Sequence, residues 1–66
     1  MKMLYNEINP YNEFKLKVST IHTIHVQECG NSKGRPILFL HGGPGGGIEP
    51  VYRQYFNPKK WRIIIC

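Results

Sequence analysis

From Glu13 to Ser19 the apolar positions Phe14, Leu16 and Val18 alternate with Lys15 and Lys17, a period of two that predicts a strand with one wet face. His22 to Glu28, rich in Thr, Ile and Val, predicts a second strand, and the short gap after Ser19 suits an antiparallel hairpin. The pattern then changes. Gly30-Asn31-Ser32-Lys33-Gly34-Arg35-Pro36 is a turn-rich connector. Ile37 to Leu40 beyond it shows no alternation, so it is expected to be a central, parallel strand buried on both faces. Pro50 fits the first turn of a short helix in which Val51/Tyr55 and Tyr52/Phe56 stack as i,i+4 pairs, and Asn57-Pro58 stops it. The β-branched run Trp61 to Cys66 predicts a last strand, reached by a strand, loop, helix, strand crossover that is right-handed by the usual rule.

Ahead of these elements, residues 1 to 12 mix Asn6, Asn9, Pro10 and Asn12 with Leu4, Tyr5, Ile8 and Tyr11. That mixture resists helix and predicts an extended arm with apolar anchors. The fold class is therefore α/β with an antiparallel start, divided into an arm over 1–12 and the first strands of a domain over 13–66. At 66 residues the chain lies in the size range where folding buries only about 60% of the unfolded surface. The final run stops without a turn, cap or polar exit, so an N-terminal fragment, incomplete as a domain, is expected.

The most distinctive segment joins the third predicted strand to the helix: His41-Gly42-Gly43-Pro44-Gly45-Gly46-Gly47, with five glycines in six positions from Gly42. Such a run gives up backbone entropy and packing area, which a chain tolerates where backbone must turn sharply or approach something closely. Its unshielded amides stand past the carboxyl end of a parallel strand, where α/β sheets bind ligands. A phosphate, an oxyanion and a turn without a ligand are the three readings. The phosphate reading lacks the Lys and Ser or Thr of a P-loop and the GxGxxG spacing that opens a regular helix. The sequence Ile48-Glu49-Pro50 that follows brings an acid rather than a cation. HG followed by more glycine after a sheet strand is how α/β-hydrolases place one main-chain donor beside a serine nucleophile.

The seven-residue stretch, with Glu28-Cys29-Gly30 before it and Phe56-Asn57-Pro58 after it, resembles the start of the proline iminopeptidase (prolyl aminopeptidase) family. Leu4-Tyr5 through Pro10-Tyr11, and Gly34-Arg35-Pro36, are similar to that family's opening as well, so the resemblance runs over essentially all 66 residues. It implies an α/β-hydrolase sheet with a helical cap and a serine peptidase that releases proline from the N-terminus of peptides, without metal or cofactor. It further implies that Gly43 donates its backbone N–H to the oxyanion, that Gly42 and Pro44 fix the loop, and that His41 is structural. The family's catalytic His follows the Ser and Asp in chain order. No GxSxG occurs in the sequence, and Ser19 and Ser32 lack the glycines of a nucleophile elbow. The triad and the residues that grip the substrate's amine are thus absent from this chain, which alone is expected to be inactive and to need the remainder of the hydrolase domain for folding.

Charge and cysteine content add less. The net charge is +5, yet the basic residues are scattered and only Lys59, Lys60 and Arg62 come together, which favours a solvated surface over a nucleic-acid site. Tyr52, Tyr55, Phe56 and Trp61 beside Lys59 and Lys60 leave a base-stacking platform as the competing reading, and a short interaction or nucleic-acid-binding protein as the alternative function. His22, His25 and Cys29 suggest metal only superficially, because His22 and His25 are expected on opposite faces of a strand. Two cysteines make no disulfide framework and the first residues lack the apolar core of a signal peptide, so a cytoplasmic location is expected. No apolar run approaches the roughly 20 residues that span a bilayer, and no membrane partner is expected.

Overall fold

The computed structural model of the protein describes residues 4–40 and 47–66. Among these, β1 (Asn12–Lys17), β2 (Thr23–Gly30), β3 (Arg35–Phe39) and β4 (Trp61–Ile65) form one mixed sheet, with a 3-10 helix at Pro50–Gln54 between β3 and β4. The spatial order is β1-β2-β4-β3. β1 and β2 are antiparallel, β2 and β4 are antiparallel, and β3 runs parallel to β4. This is a small α/β-type arrangement with little helix.

The hairpin forms because the alternation on both strands is in register: Phe14 faces Val26 and Leu16 faces Ile24, while Lys15 faces His25. Its turn is closed by Ser19, whose Oγ accepts from the backbone N–H of Ile21 at 3.3 Å and of His22 at 3.0 Å. Such local side-chain bonds are why Ser favours turns over strands. Consequently β1 ends at Lys17 and β2 begins at Thr23, leaving Val18, Ser19 and His22 outside the strands in which they were expected.

β2 leaves the sheet at Gly30, whose φ of 83° is left-handed, a conformation glycine adopts without penalty. Asn31 then organises the connector: its Oδ1 accepts from Lys33 N–H at 2.9 Å and its Nδ2 donates to the Lys59 carbonyl at 3.1 Å. Asn57 repeats the device before β4, accepting at Oδ1 from Lys59 N–H at 3.0 Å. The two connectors that flank the parallel pair are thus built from the same side-chain chemistry.

The core lies on one face of the sheet. Cys29, Ile63 and Ile65 are fully buried there, and the register places Ile37 opposite Ile63 and Phe39 opposite Ile65 on the same face. Ile8, Ile48, Tyr52, Phe56 and Trp61 pack against this centre. Full burial of one isoleucine side chain contributes about 1.5–3 kcal/mol, so β4 supplies much of the stabilisation available to so short a chain.

Two expectations are corrected. β3 is parallel to β4 as expected and pairs with it alone among the described residues, while β4 lies between β2 and β3. On the opposite face Leu38 and Leu40 are 58% and 67% exposed rather than buried on both faces. The helix is 3-10 rather than α, and it brings Tyr52 and Tyr55 into a tilted ring contact with centroids 6.0 Å apart, because side chains three apart eclipse at three residues per turn.

Candidate functional site

Because β3 and β4 are parallel, their carboxyl ends lie at one edge of the sheet, joined there by Cys66 N–H donating to the Phe39 carbonyl at 3.1 Å. The glycine-rich segment leaves from this edge. His41, Gly42, Gly43 and Pro44, with Gly45 and Gly46, lie outside the described residues. What the structure does define is the framework on either side of them.

On the strand side, Phe39 is the hub of an aromatic cluster. Its ring meets Tyr52 at 5.2 Å, Tyr55 at 5.7 Å and Phe56 at 6.1 Å, each edge-on, the arrangement that the ring quadrupoles favour. On the helix side, no atom of the described residues lies within 4 Å of where a Gly47 side chain would begin, and Ile48 packs against the core. Tyr52 Oη then donates to Glu49 Oε2 at 2.9 Å, and Tyr52 N–H to the Glu49 carbonyl at 3.0 Å. The Glu49 carboxylate, as acceptor of that bond, raises the Tyr52 phenol above its ordinary pKa, with burial adding to the shift.

The 3-10 helix is itself tied down from two sides. Arg53 Nε donates to the Ile8 carbonyl at 2.8 Å and Arg53 Nη1 to Gln27 Oε1 at 2.8 Å. Tyr5 N–H donates to the Gln54 carbonyl at 2.9 Å, and Gln54 Nε2 returns a bond to the Tyr5 carbonyl at 3.0 Å. A cavity of about 340 Å3 lined by Glu7, Ile8, Asn9, Pro50 and Arg53 lies at this junction. Its cation is already engaged by Ile8 and Gln27.

The other titratable groups serve the sheet. Glu28 accepts from Asn12 Nδ2 at 2.8 Å and from Arg62 Nε at 2.7 Å. These bonds, Asn12 first and Arg62 second, hold its carboxyl below the ordinary glutamate range. Glu13 is likewise depressed, mainly by the Gln27 amide and then by His25, whose Nε2 lies 2.7 Å from Glu13 Oε2. His22 Nδ1 shares a 2.9 Å hydrogen bond with the exposed Ser19 Oγ, inside the hairpin turn. Burial pushes the Cys29 thiol up, away from the thiolate. His22, His25 and Cys29 therefore occupy a turn, a strand surface and the core, and among the described residues no group of three or more His, Cys, Asp or Glu side chains converges to hold a metal.

The aromatic residues weighed as a stacking platform pack on one another instead. Tyr52, Tyr55 and Phe56 converge on Phe39, and Trp61 lies against the core with Lys60 Nζ 5.5 Å above its ring. Sequence reasoning missed Phe39 as the hub, the Glu49–Tyr52 bond and the Glu28–Arg62 pair. The second had a signal: Glu49 and Tyr52 are three apart, the spacing that a 3-10 turn brings together. The Glu28–Arg62 pair depends on the β2–β4 register, for which no local pattern exists.

Comparison with known proteins agrees with the resemblance read from the glycine-rich segment and its flanks. The chain is 57% identical over 65 residues to a probable proline iminopeptidase of Leptolyngbya boryana and 46% identical over 65 residues to the proline iminopeptidase of Xanthomonas citri. To the proline iminopeptidase of Arabidopsis thaliana it is 45% identical over 64 residues. These matches take in 98%, 98% and 97% of this chain, but 20%, 21% and 17% of the relatives' own lengths. No family model matches the chain. Over almost all of its residues, then, the chain is related to the proline iminopeptidases, and it spans about one fifth of their length.

Proposed function

We propose that these 66 residues supply the first strands and the oxyanion loop of a serine peptidase of α/β-hydrolase architecture that releases N-terminal proline from peptides. The observation that carries this reading is the similarity to proline iminopeptidases over 98% of the chain. In it, Gly43 N–H donates to the oxyanion that forms when a serine attacks the carbonyl of the N-terminal proline. Gly42 and Pro44 fix the loop, and His41 holds the turn. A donor so placed acts on the charge that develops in the transition state, and loss of one such donor costs about 10²- to 10³-fold in turnover. The nucleophile, its base and the amine-binding residues lie outside these residues, since no GxSxG is present, so the chain by itself has no reaction to accelerate.

The parallel β3–β4 pair supports this reading, because its carboxyl ends are where an α/β sheet presents ligand-binding loops. The proposed location is cytoplasmic, on the cysteine content. Among the described residues no helix is long and apolar enough to cross a membrane. The test is to purify the natural protein that carries these residues and to assay release of proline from a Pro-X peptide, with the Gly43→Pro variant beside it. Proline release that collapses in the variant is expected. Absence of release, or turnover unchanged by the substitution, overturns the reading.

A further inference from the structure

Basic residues that lie apart in the sequence are gathered by the fold. The connector after β2 and the connector before β4 are pinned side by side, Asn31 N–H donating to the Trp61 carbonyl at 2.9 Å and Asn31 Nδ2 to the Lys59 carbonyl at 3.1 Å. Gly34 comes so close to Lys60 that a side chain there would meet its carbonyl. Arg35 stands opposite Trp61 in the β3–β4 register, and Lys60 Nζ lies 5.5 Å from the centroid of the Trp61 ring. Lys33, Arg35, Lys59 and Lys60 thus share the amino edge of the parallel pair, and all are exposed.

The acidic side chains of the chain stand elsewhere. Glu28 pairs with Arg62 and accepts from Asn12, Glu13 is held by Gln27 and His25, Glu49 accepts from Tyr52, and Glu7 lines the cavity at the junction of arm and helix. Among the described residues no carboxylate comes within ion-pair distance of Lys33, Arg35, Lys59 or Lys60. The backbone that carries two of these cations is also fixed, because Asn31 Oδ1 accepts from Lys33 N–H at 2.9 Å and Asn57 Oδ1 from Lys59 N–H at 3.0 Å. Like charges are therefore held together without internal neutralisation. A cluster of one sign costs self-repulsion and attracts the opposite charge.

The surroundings select the partner. The cations sit on exposed turns and a strand end rather than in the cavity, which suits a macromolecular surface more than a small ligand. A single-stranded nucleic acid needs rings presented for stacking, whereas Tyr52, Tyr55 and Phe56 pack on Phe39 and Trp61 lies against the core. A membrane surface needs apolar side chains beside the cations, whereas the exposed Leu16, Val18, Ile21 and Leu40 stand toward the other end of the sheet. A second copy of the chain is a poor source of counter-charge, since Glu13, Glu28 and Glu49 are engaged. Protein carboxylates fit: Arg35 offers the planar fork that binds them by paired hydrogen bonds, and the lysines add point charges around it.

We propose that Lys33, Arg35, Lys59 and Lys60 form a docking surface for an acidic, Asp- and Glu-rich segment of a partner protein. The surface lies at the amino edge of β3 and β4, opposite the edge at which Phe39 and Ile65 end these strands, so a docked partner leaves that second edge open. The inference goes beyond the peptidase reading and does not depend on it.

The experiment measures fluorescence anisotropy of a labelled peptide of alternating Glu and Gly as the natural protein carrying these residues is titrated in. A labelled DNA oligonucleotide and phosphatidylserine vesicles serve as the competing probes. The parent is compared with Lys33→Glu/Lys59→Glu, with Lys33→Gln/Lys59→Gln, and with Lys15→Glu/Lys17→Glu, which makes the same change of charge on β1. The parent should bind the peptide, and more weakly as salt rises. The Lys33→Glu/Lys59→Glu pair should lose about tenfold or more in affinity, the scale on which a single-sign field acts on association, and the Gln pair a smaller part of it. At about 0.1 M salt the β1 pair should bind as the parent does, because charges further away than the screening length of about 10 Å contribute little. Both lysines use only their backbone N–H in the Asn bonds, so the Gln pair should melt with the parent and decides the matter if the Glu pair does not fold. Failure of the parent to bind the peptide overturns the proposal, as does an equal loss in the β1 pair, which marks net charge alone. Tighter binding of the oligonucleotide or the vesicles than of the peptide, lost in the same Lys33 and Lys59 variants, overturns it in favour of that other partner.

Discussion

Glu28 on β2 and Arg62 on β4 form an ion pair across the sheet, Arg62 Nε donating to Glu28 Oε1 at 2.7 Å, with Glu28 only 8% exposed. Asn12 on β1 donates to the second carboxylate oxygen at 2.8 Å, so one carboxylate joins three strands. The pair stands toward the amino end of β4, away from the edge from which the glycine-rich segment departs. Its role is therefore to hold strand register, and it leaves the chemistry to the other end.

That placement predicts an acid-sensitive fold. The folded-state pKa of Glu28 is depressed by Asn12 and Arg62. Its stabilisation is therefore fully present above the unfolded glutamate value of about 4.3 and is lost as pH falls through the lower folded value. Glu13, depressed by Gln27 and His25, acts in the same direction. The thermal midpoint of the natural protein should drop steeply on acidification below about pH 4. Glu28→Gln should lower the midpoint at neutral pH and flatten that acid limb. A limb unchanged by Glu28→Gln would show that other carboxylates govern it.

Gly30 makes the sharpest steric prediction. Its φ is 83°, and a Cβ there would stand 2.6 Å from the Trp61 carbonyl oxygen. Gly30→Ala should cost about 1–3 kcal/mol through left-handed strain alone, and more through the clash with backbone. Urea unfolding of the natural protein measures it, and an unaltered midpoint would mean that β2 ends differently. Gly34→Ala should be destabilising for the related reason that its Cβ would meet the Lys60 carbonyl.

Much of this architecture was legible because it is local. The alternation of Phe14, Leu16 and Val18 with Lys15 and Lys17 identified the first hairpin strand, and the unalternating Ile37 to Leu40 identified a parallel one. The order of the strands was not legible: β3 and β4 are both apolar runs, and nothing within either says that β4 takes the place between β2 and β3. The helix type was missed because Val51/Tyr55 and Tyr52/Phe56 satisfy an i,i+4 pattern while Tyr52 and Tyr55 satisfy i,i+3, and the choice was made by packing onto Phe39. For the candidate site, the glycines were visible in the sequence, whereas the side chains that frame them became visible only once β3 and the helix were brought together.

The exposed apolar residues on the second face of the sheet lead to a further expectation. Phe14, Leu16, Ile24 and Leu38 share the side away from the 3-10 helix and are all exposed. β3 also has an unpaired edge among the described residues. An open apolar face beside an unpaired strand favours association. The 66-residue chain prepared alone should sediment as concentration-dependent oligomers. A monomer that melts cooperatively at micromolar concentration would contradict this.

Within the core, Ile63 and Ile65 are fully buried at the centre of the sheet. Truncating either to Ala should cost about 2–5 kcal/mol, a large part of the 5–15 kcal/mol by which a domain is ordinarily stable. Chemical denaturation of the natural protein reads the loss directly. A cost well under 1 kcal/mol at both positions would mean that β4 is not the centre of the fold.

The most direct test of the account is the rate at which the natural protein carrying these residues releases proline from a Pro-X peptide, measured for the parent and for Gly43→Pro at matched folded concentration. The account predicts release by the parent and a loss of at least about 10²-fold in turnover for the variant. Equal turnover in the two, or no release of proline by the parent, would contradict it.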